Sequence, residues 1–353
     1  MSEQKKLGQL MDYVIAEGGS DLHLAEGRRP IIRVNSQLMP VEGSDELSDQ
    51  DMDSYFDSVL TDDHKGILNN QGDVDFSCTT NKADRFRGNA YIQKGRKSMA
   101  LRLIPRHIKT FEELNLPPVL EHFTDQQQGF FLVVGPTGHG KSTTLASMIN
   151  YINNKRFEHI TTIEDPIEYI FEPQKSMIDQ REIRDDTSDF HSALRGAFRQ
   201  DIDVLMVGEM RTPETMATAV TAAETGHLVF STLHTNTAAQ TIDRIIDTFS
   251  AEQQDQIRMQ LASSLSGVLS QRLIPRVSGG MIPACELLVS TNAVSNLIRE
   301  KRTHELPAVI ETGAEKGMIS MNRSLADLVK AGEVSVETAF NYTTKKKVLE
   351  EFL

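Results

Sequence analysis

The chain has 353 residues, enough for two domains that each bury a core, and its net charge of −13 argues against general nucleic-acid affinity. Its two cysteines, Cys78 and Cys285, are too isolated for a disulfide framework or a thiolate metal site, which points to a reducing compartment. No apolar run approaches the roughly 18 residues of a membrane span, and the polar start, Met1 to Gln9, is no signal peptide, so a soluble cytosolic protein is expected.

Apolar positions at Leu7, Leu10, Met11, Val14 and Ile15 have helical spacing over residues 3–17, and Gly18 and Gly19 end that helix. Ser20 to Leu24 alternates, Pro30 to Val34 is β-branched, and Asn35-Ser36-Gln37 reads as a turn into Leu38 to Val41. A single helix is expected over Ser48 to Asn69, capped by Ser48, with Met52, Phe56 and Leu60 on one face. Alternation at Val74 to Cys78, Phe86 to Ile92 and Met99 to Leu103 implies an antiparallel sheet. Residues 1–104 thus read as a small α+β domain. Its charge is split: Gly43 to Asp75 carries a net −9, and Lys82 to Arg106 a net +7.

Residues 105–118 read as a connector bracketed by Pro105 and Pro117-Pro118, with one helical turn at Thr110 to Leu114. From 119 the pattern changes. Strand candidates at 130–134, 159–163, 203–207 and 227–232 alternate with helices at 142–153, 187–199, 213–225 and 237–248, the signature of βαβ units around a parallel sheet. A last strand, Ile282 to Val289, leads into helices at 291–302, 320–331 and 335–341.

Four stretches of this second domain carry chemistry. Gly135 to Ser142 fits G-x-x-x-x-G-K-[ST] between an apolar strand and a helix. Glycines let backbone N–H groups converge on an anion, and the helix adds its positive end, so Pro136, Thr137, Gly138, His139, Gly140, Lys141, Ser142 and Thr143 form a nucleotide cradle. Lys141 reaches the β- and γ-phosphates of ATP, and the Ser142 hydroxyl holds Mg²⁺. The second stretch, Thr161 to Glu168, is a strand ending in three carboxylates around Pro166, any of which can orient or deprotonate a water. The residues alone leave Glu164 and Glu168 both open as that base. In the third, the apolar strand Ile202 to Val207 closes on Glu209, which suits Mg²⁺ held through water.

The fourth stretch, Thr225 to Asn236, sets His227 and His234 at opposite ends of an apolar strand. Seven residues apart on a strand they make no metal site, but His234 lies at the carboxyl end, where it can sense the γ-phosphate. Arginines complete the set. Arg85, Arg87 and Arg102 lie on the N-terminal sheet, Arg195 on a helix, and Arg244 and Arg272 beyond the histidines. Phosphoryl transfer needs a cation besides Lys141 on the γ-phosphate, supplied by another domain or a neighbouring subunit.

Taken in order, the loop at Gly135, Thr161-Thr162-Ile163-Glu164-Asp165-Pro166-Ile167-Glu168, Val207-Gly208-Glu209-Met210-Arg211 and Thr225 to Asn236 resemble the Walker A, Asp box, Walker B and His box of the bacterial secretion ATPase superfamily. Ser20 to Leu24 with Gly27, Arg87 in Arg-Phe-Arg, and Ala293 to Glu300 further resemble the PilT-type retraction ATPases of type IV pili. This resemblance spans nearly the whole chain. It implies an α/β fold with a RecA-like P-loop core and a parallel-rich sheet, preceded by a PAS-like domain. The implied activity is ATP hydrolysis by a cytoplasmic homo-hexamer that drives pilus retraction and twitching motility.

The same resemblance puts the general base on Glu168 and carries Glu209, His227 and His234 over as catalytic. It adds Arg272 to the nucleotide contacts, and makes Arg85, Arg87, Arg102, Arg195 and Arg244 candidate contacts, some across a subunit interface. Its implied partners are the inner-membrane pilus platform protein and other pilus ATPases, with no nucleic acid and no direct membrane insertion. The alternatives are a pilus assembly, secretion or accessory retraction ATPase, or a non-hydrolysing nucleotide-dependent adaptor. Departures from the family pattern are His139 for a common serine, Gly196 within a helix, Thr212-Pro213 after Glu-Met-Arg, and Ser295 for an arginine.

Overall fold

The computed structural model describes residues 3–34, 37–80, 82, 84–343 and 345–353, so the turn expected at Asn35 and Ser36 lies outside the described residues. The chain divides into two compact units, Met1–His107 with Glu168–Ile170, and Ile108–Ile167 with Phe171–Leu353.

In the first unit, α1 (Glu3–Ala16) precedes β1 (Asp21–Ala25), β2 (Ile31–Val34) and β3 (Gln37–Pro40). Two helices, α2 (Asp49–Val59) and α3 (Asp62–Gln71), lead to β4 (Asp73–Thr79), β5 (Arg85–Gln93) and β6 (Arg96–Leu103). The strands form one antiparallel sheet in the order β3-β2-β1-β6-β5-β4. Its apolar face, Leu22, Leu24, Phe86, Met99 and Leu101, packs with Met52, Tyr55 and Phe56 of α2. The single helix expected from Ser48 to Asn69 is two. Ser48 caps the first as expected, but Leu60 is extended (φ −98°, ψ 129°), and Thr61 opens a second capping box with His64. Two local caps outweigh continuation through Leu60.

One row of this sheet is charged. Arg87 pairs with Arg102, Arg102 with Asp21, and Asp21 with Arg33 across four neighbouring strands. Arg102 Nε donates to Asp21 Oδ1 at 2.8 Å and Arg33 lies 3.8 Å away. Burial pushes the Asp21 carboxyl up, but bonds from Ser20 and Arg102 and the Arg102 charge outweigh it and hold the group below its ordinary value.

The second unit opens on one helical turn, Leu114 N–H donating to Thr110 O, and the short α4 (Leu120–Thr124). Then come β7 (Gly129–Val134), α5 (Lys141–Lys155), β8 (His159–Glu164), β9 (Met177–Glu182), α6 (Phe190–Ala197), β10 (Val204–Val207), α7 (Pro213–Glu224) and β11 (Leu228–Leu233). The chain continues through α8 (Ala238–Asp247), α9 (Ala251–Ser264), β12 (Leu265–Pro275) and β13 (Met281–Val289). It ends in α10 (Asn292–Arg299), α11 (Leu306–Thr312), α12 (Met321–Lys330), α13 (Val336–Tyr342) and α14 (Lys346–Phe352).

The strand order is β13-β12-β7-β11-β10-β8-β9, all parallel except β13. β7, β10 and β11 are buried along their whole length, as helices on both faces of a parallel sheet require, so β7 and β10 read as apolar runs and β11 as one broken only by Ser231 and Thr232, whose hydroxyls donate to Val207 O and Gly208 O. β12 joins β7 through a bulge: Leu265 pairs with Phe130 but Gly267 with Phe131, which leaves Ser266 as an extra residue. A separate C-terminal cluster packs Ile274, Ile282 and Ala284 against Leu325, Ala326, Ala339 and Leu349.

The short helices α4, α11 and α14 escaped the sequence reading, as did three longer elements. β9 is an edge strand whose Asp179, Gln180 and Arg181 hide its pattern, and α9 buries only Ile257, Leu261, Ala262 and Ser264. β12 is broken up by Ser266, Ser270, Gln271 and Arg272. The helix expected at 187–199 is shorter, because Asp189 caps it and accepts from Ser192 N–H.

Candidate active site

The site begins where β7 ends. Val134 is paired with Leu233 of β11, so Gly135 and His234 leave the sheet side by side at its carboxyl edge. This is the edge where open α/β sheets bind ligands. Three glycines then turn the loop with positive φ: Gly135 at 147°, Gly138 at 79° and Gly140 at 81°. The first bond within α5 is Thr144 N–H to Gly140 O at 3.0 Å, so the N–H groups of the preceding turn face the loop. Lys141 is buried, and its ammonium donates to Gly135 O and Pro136 O at 2.9 Å each. The loop curls around that charge.

His234 Nδ1 lies 3.4 Å from Lys141 Nζ and 3.3 Å from Thr137 Oγ1, which brings the His234 ring to the mouth of the loop. Its Nε2 is 3.7 Å from Glu209 Oε2. Glu209 arrives there because β10 ends at Val207, paired with both Ser231 and Ile163. Gly208 is locked between the two neighbours, its N–H donating to Ile163 O and its carbonyl accepting from Thr232 Oγ1. The other Glu209 oxygen is paired with Arg211. Lys141, His234 and Glu209, expected together from their motifs, are therefore one cluster.

The Asp box follows β8. Glu164 is buried and accepts from Thr162 Oγ1 at 2.8 Å, a bond that occupies it in the strand. Glu168 is exposed on the loop beyond Pro166. That loop is braced by Glu182, a buried residue whose Oε2 accepts from Ile167 N–H at 3.1 Å. Glu182 carried no signal in the sequence beyond an acid in a polar stretch.

Other expected residues lie apart from this cluster. His227 sits at the amino end of β11, where Nδ1 meets Ala222 O at 3.0 Å and the ring packs on Phe198. Along a strand of this length it is roughly 20 Å from His234. Arg195 is exposed in the last turn of α6, just before Phe198, at that same amino end. Arg244 is exposed in the last turn of α8, which carries it away from the loop. Arg272 points to the opposite face of β12 from the loop. Its Nη1 donates to Tyr342 O at 3.1 Å, and it lines a cavity of about 270 Å³ with Asn236, Glu286, Asn322 and Lys345. Within one chain, then, His227, Arg195, Arg244 and Arg272 do not converge on the loop. Arg85, Arg87 and Arg102 belong to the first unit, where Arg85 Nη2 donates to Ser77 Oγ at 2.8 Å.

Gln271 is the site residue the sequence did not disclose. It is buried, accepts from Thr144 Oγ1 at 2.7 Å and donates to the His139 carbonyl at 2.8 Å, so one amide ties the loop to the first turn of α5. Leu273 N–H donates to His139 Nδ1 at 2.9 Å. In the sequence Gln271 is masked by Ser270 and Arg272 on either side of it, so no local pattern sets it apart.

The residues present fit a nucleoside polyphosphate. A Cβ on Gly135 would fall 2.3 Å from Gln271 O, so only glycine gives this cradle its curvature, and Lys141 supplies the cation inside it. Fold and loop together define a P-loop nucleotide-hydrolase core of RecA-like type. The model of the family described as "Type II/IV secretion system protein" matches residues 79–346, and the chain belongs to that family. It is 41% identical to the type IV pilus retraction ATPase PilT of Pseudomonas aeruginosa, over 98% of this chain and 99% of that one. It is 43% identical to a twitching motility protein of Neisseria gonorrhoeae over 88% of this chain and 83% of the other. A crystal structure of the pilus retraction motor PilT with bound ADP superimposes with a TM-score of 0.91 at 42% identity, covering 98% of each chain.

Proposed function

We propose that the protein is an ATP-hydrolysing motor that powers retraction of type IV pili, and with it twitching motility. The observation that carries this reading is the cluster of Lys141, His234 and Glu209 around a phosphate loop at the carboxyl edge of the sheet, in a chain similar to a retraction ATPase from end to end. Bound Mg²⁺ would supply charge neutralisation at the β- and γ-phosphates. Ser142 at the start of α5 and Glu209, the latter through water, are the groups to hold it. Lys141 orients the phosphates, and His234 moves with them because its Nδ1 already lies against Lys141 and Thr137.

Of the two Asp-box glutamates, Glu168 is the one to accept the proton of the attacking water. Glu164 is buried and engaged by Thr162, whereas Glu168 is exposed on a loop. His227 and the arginines remote from the loop act, in this reading, across the interface of a homo-hexamer, where an amino edge or an N-terminal unit can meet a neighbour's site. The motor works in the cytoplasm at the base of the pilus machine, against the inner-membrane platform protein and beside other pilus ATPases. In support, no helix among the described residues is long and apolar enough to cross a membrane.

The decisive experiment pairs purified-protein turnover with gene deletion. Lys141→Ala and Glu168→Gln each abolish phosphate release while the protein stays folded, and the deletion strain carries abundant pili that do not retract. Undiminished turnover in either variant refutes the site assignment, and bald cells refute retraction in favour of assembly.

A further inference from the structure

Pairing between β12 and β7 ends at Ser270 and Val134, yet β12 continues to Pro275 bonded only to β13. Such an overhang presents backbone donors and acceptors on its open side, and a half-buried backbone group needs a partner. Part of the phosphate loop supplies one. The Leu273 N–H, beyond the reach of β7, donates to the ring nitrogen Nδ1 of His139 at 2.9 Å. Next to it Gln271 Nε2 donates to the His139 carbonyl at 2.8 Å. His139 is thus held at both backbone and ring. Gly140, the next residue, passes so close that a Cβ there would stand 2.9 Å from Gln271 Nε2.

We propose that His139 is a positioning residue for nucleotide binding: its ring acts as a hydrogen-bond acceptor that pins the phosphate loop to the overhang of β12 and so presets the cradle. The inference rests on the reading of this loop as the nucleotide site.

The role sets a condition on the ring. A neutral imidazole can accept at Nδ1, whereas imidazolium donates at both nitrogens and has nothing to offer the Leu273 N–H. Burial, followed by the charges of Arg272 on β12 and Lys141 at the start of α5, holds the His139 ring below the ordinary histidine value of 6.5. A histidine held low in the folded state is neutral above that ordinary value, and its contribution is lost as pH falls towards and through the lowered one. The pin is therefore intact near neutrality and opens in acid.

The test is the binding of Mg·ADP to the full chain at about pH 8 and at stepwise lower pH down to the acid limit of the folded protein. It compares wild type with His139→Ala, His139→Asn and Lys141→Ala. Asparagine places an amide oxygen near the position of Nδ1 and does not titrate. His139→Ala weakens ADP binding about tenfold at the higher pH, about 1.4 kcal/mol. His139→Asn restores it to within about threefold. On acidification below the ordinary histidine value the wild type loses more affinity than His139→Asn, a difference in which the titration of ADP itself cancels.

Wild-type affinity in His139→Ala, together with lost affinity in Lys141→Ala, overturns the positioning role alone. Wild-type affinity in Lys141→Ala overturns the nucleotide site itself. Identical pH profiles for wild type and His139→Asn overturn the acceptor mechanism, and this comparison stands even if the alanine variant fails to fold.

Discussion

Two glycines of the phosphate loop share a positive φ but differ in what surrounds them, and alanine at each separates conformation from crowding. A Cβ on Gly138, at φ 79°, would have nothing within 4 Å, whereas a Cβ on Gly135, at 147°, meets Gln271 O at 2.3 Å. Gly138→Ala thus carries only the left-handed penalty of about 1–2 kcal/mol. Gly135→Ala carries about 1–3 kcal/mol of backbone strain, plus about 1–3 kcal/mol for an atom forced into a packed site. The obstacle cannot swing aside. Gln271 is a strand residue paired with Cys285, and its carbonyl moves only if β12 moves. The total, about 2–6 kcal/mol, is a large share of a typical net stability of about 5–15 kcal/mol. Urea denaturation and ADP titration of the two variants read the difference. Gly135→Ala loses about 2–6 kcal/mol and binds ADP at least about tenfold more weakly, while Gly138→Ala loses only about 1–2 kcal/mol. Equal losses in the two variants would refute the claim that contact with β12 shapes the loop.

Two further outcomes follow from the ionisable groups. The Asp21 carboxyl is held below its ordinary value of 3.8, so its contribution is present above that pH and lost as pH falls through the lowered value; Asp21→Asn flattens acid denaturation in that range, and an unchanged acid limb would count against the Arg102 contact. Burial pushes the thiols of Cys78 and Cys285 up to about 12, so neither reacts with iodoacetamide at about pH 8 in the native protein, and both do in urea. Fast native labelling of Cys285 would contradict its burial.

What could be read from the residues was what local chemistry carries. The phosphate loop and Glu209 each follow a continuous apolar run, His234 follows one broken only by Ser231 and Thr232, and a buried parallel strand needs no partner to be recognised. The alternating strands of the first unit were equally plain, since one face of that sheet packs on α2 and the other is polar. The break at Leu60 was hidden because apolar spacing continues through it, and only the capping of Thr61 by His64 overrides that spacing. β12 was hidden for a different reason. Its polar residues are there for groups distant in sequence, Gln271 for the loop and Arg272 for Tyr342, so no local periodicity announces them. Glu182 likewise owes its burial to a loop on another strand.

The extra residue at Ser266 bears on all of this. Side chains along a strand alternate between faces, so the count from Leu265 decides which of two neighbours looks at the phosphate loop. With the bulge, Leu265 shares a face with Val268, Ser270 and Arg272, and Gln271 falls on the other, against Thr144. Strict alternation from Leu265 would exchange the two. A guanidinium would then face the loop beside Lys141, and the amide that serves both the His139 carbonyl and the Thr144 hydroxyl would be turned away from them. One inserted residue, some way upstream on the same strand, keeps a second fixed positive charge out of the loop's floor.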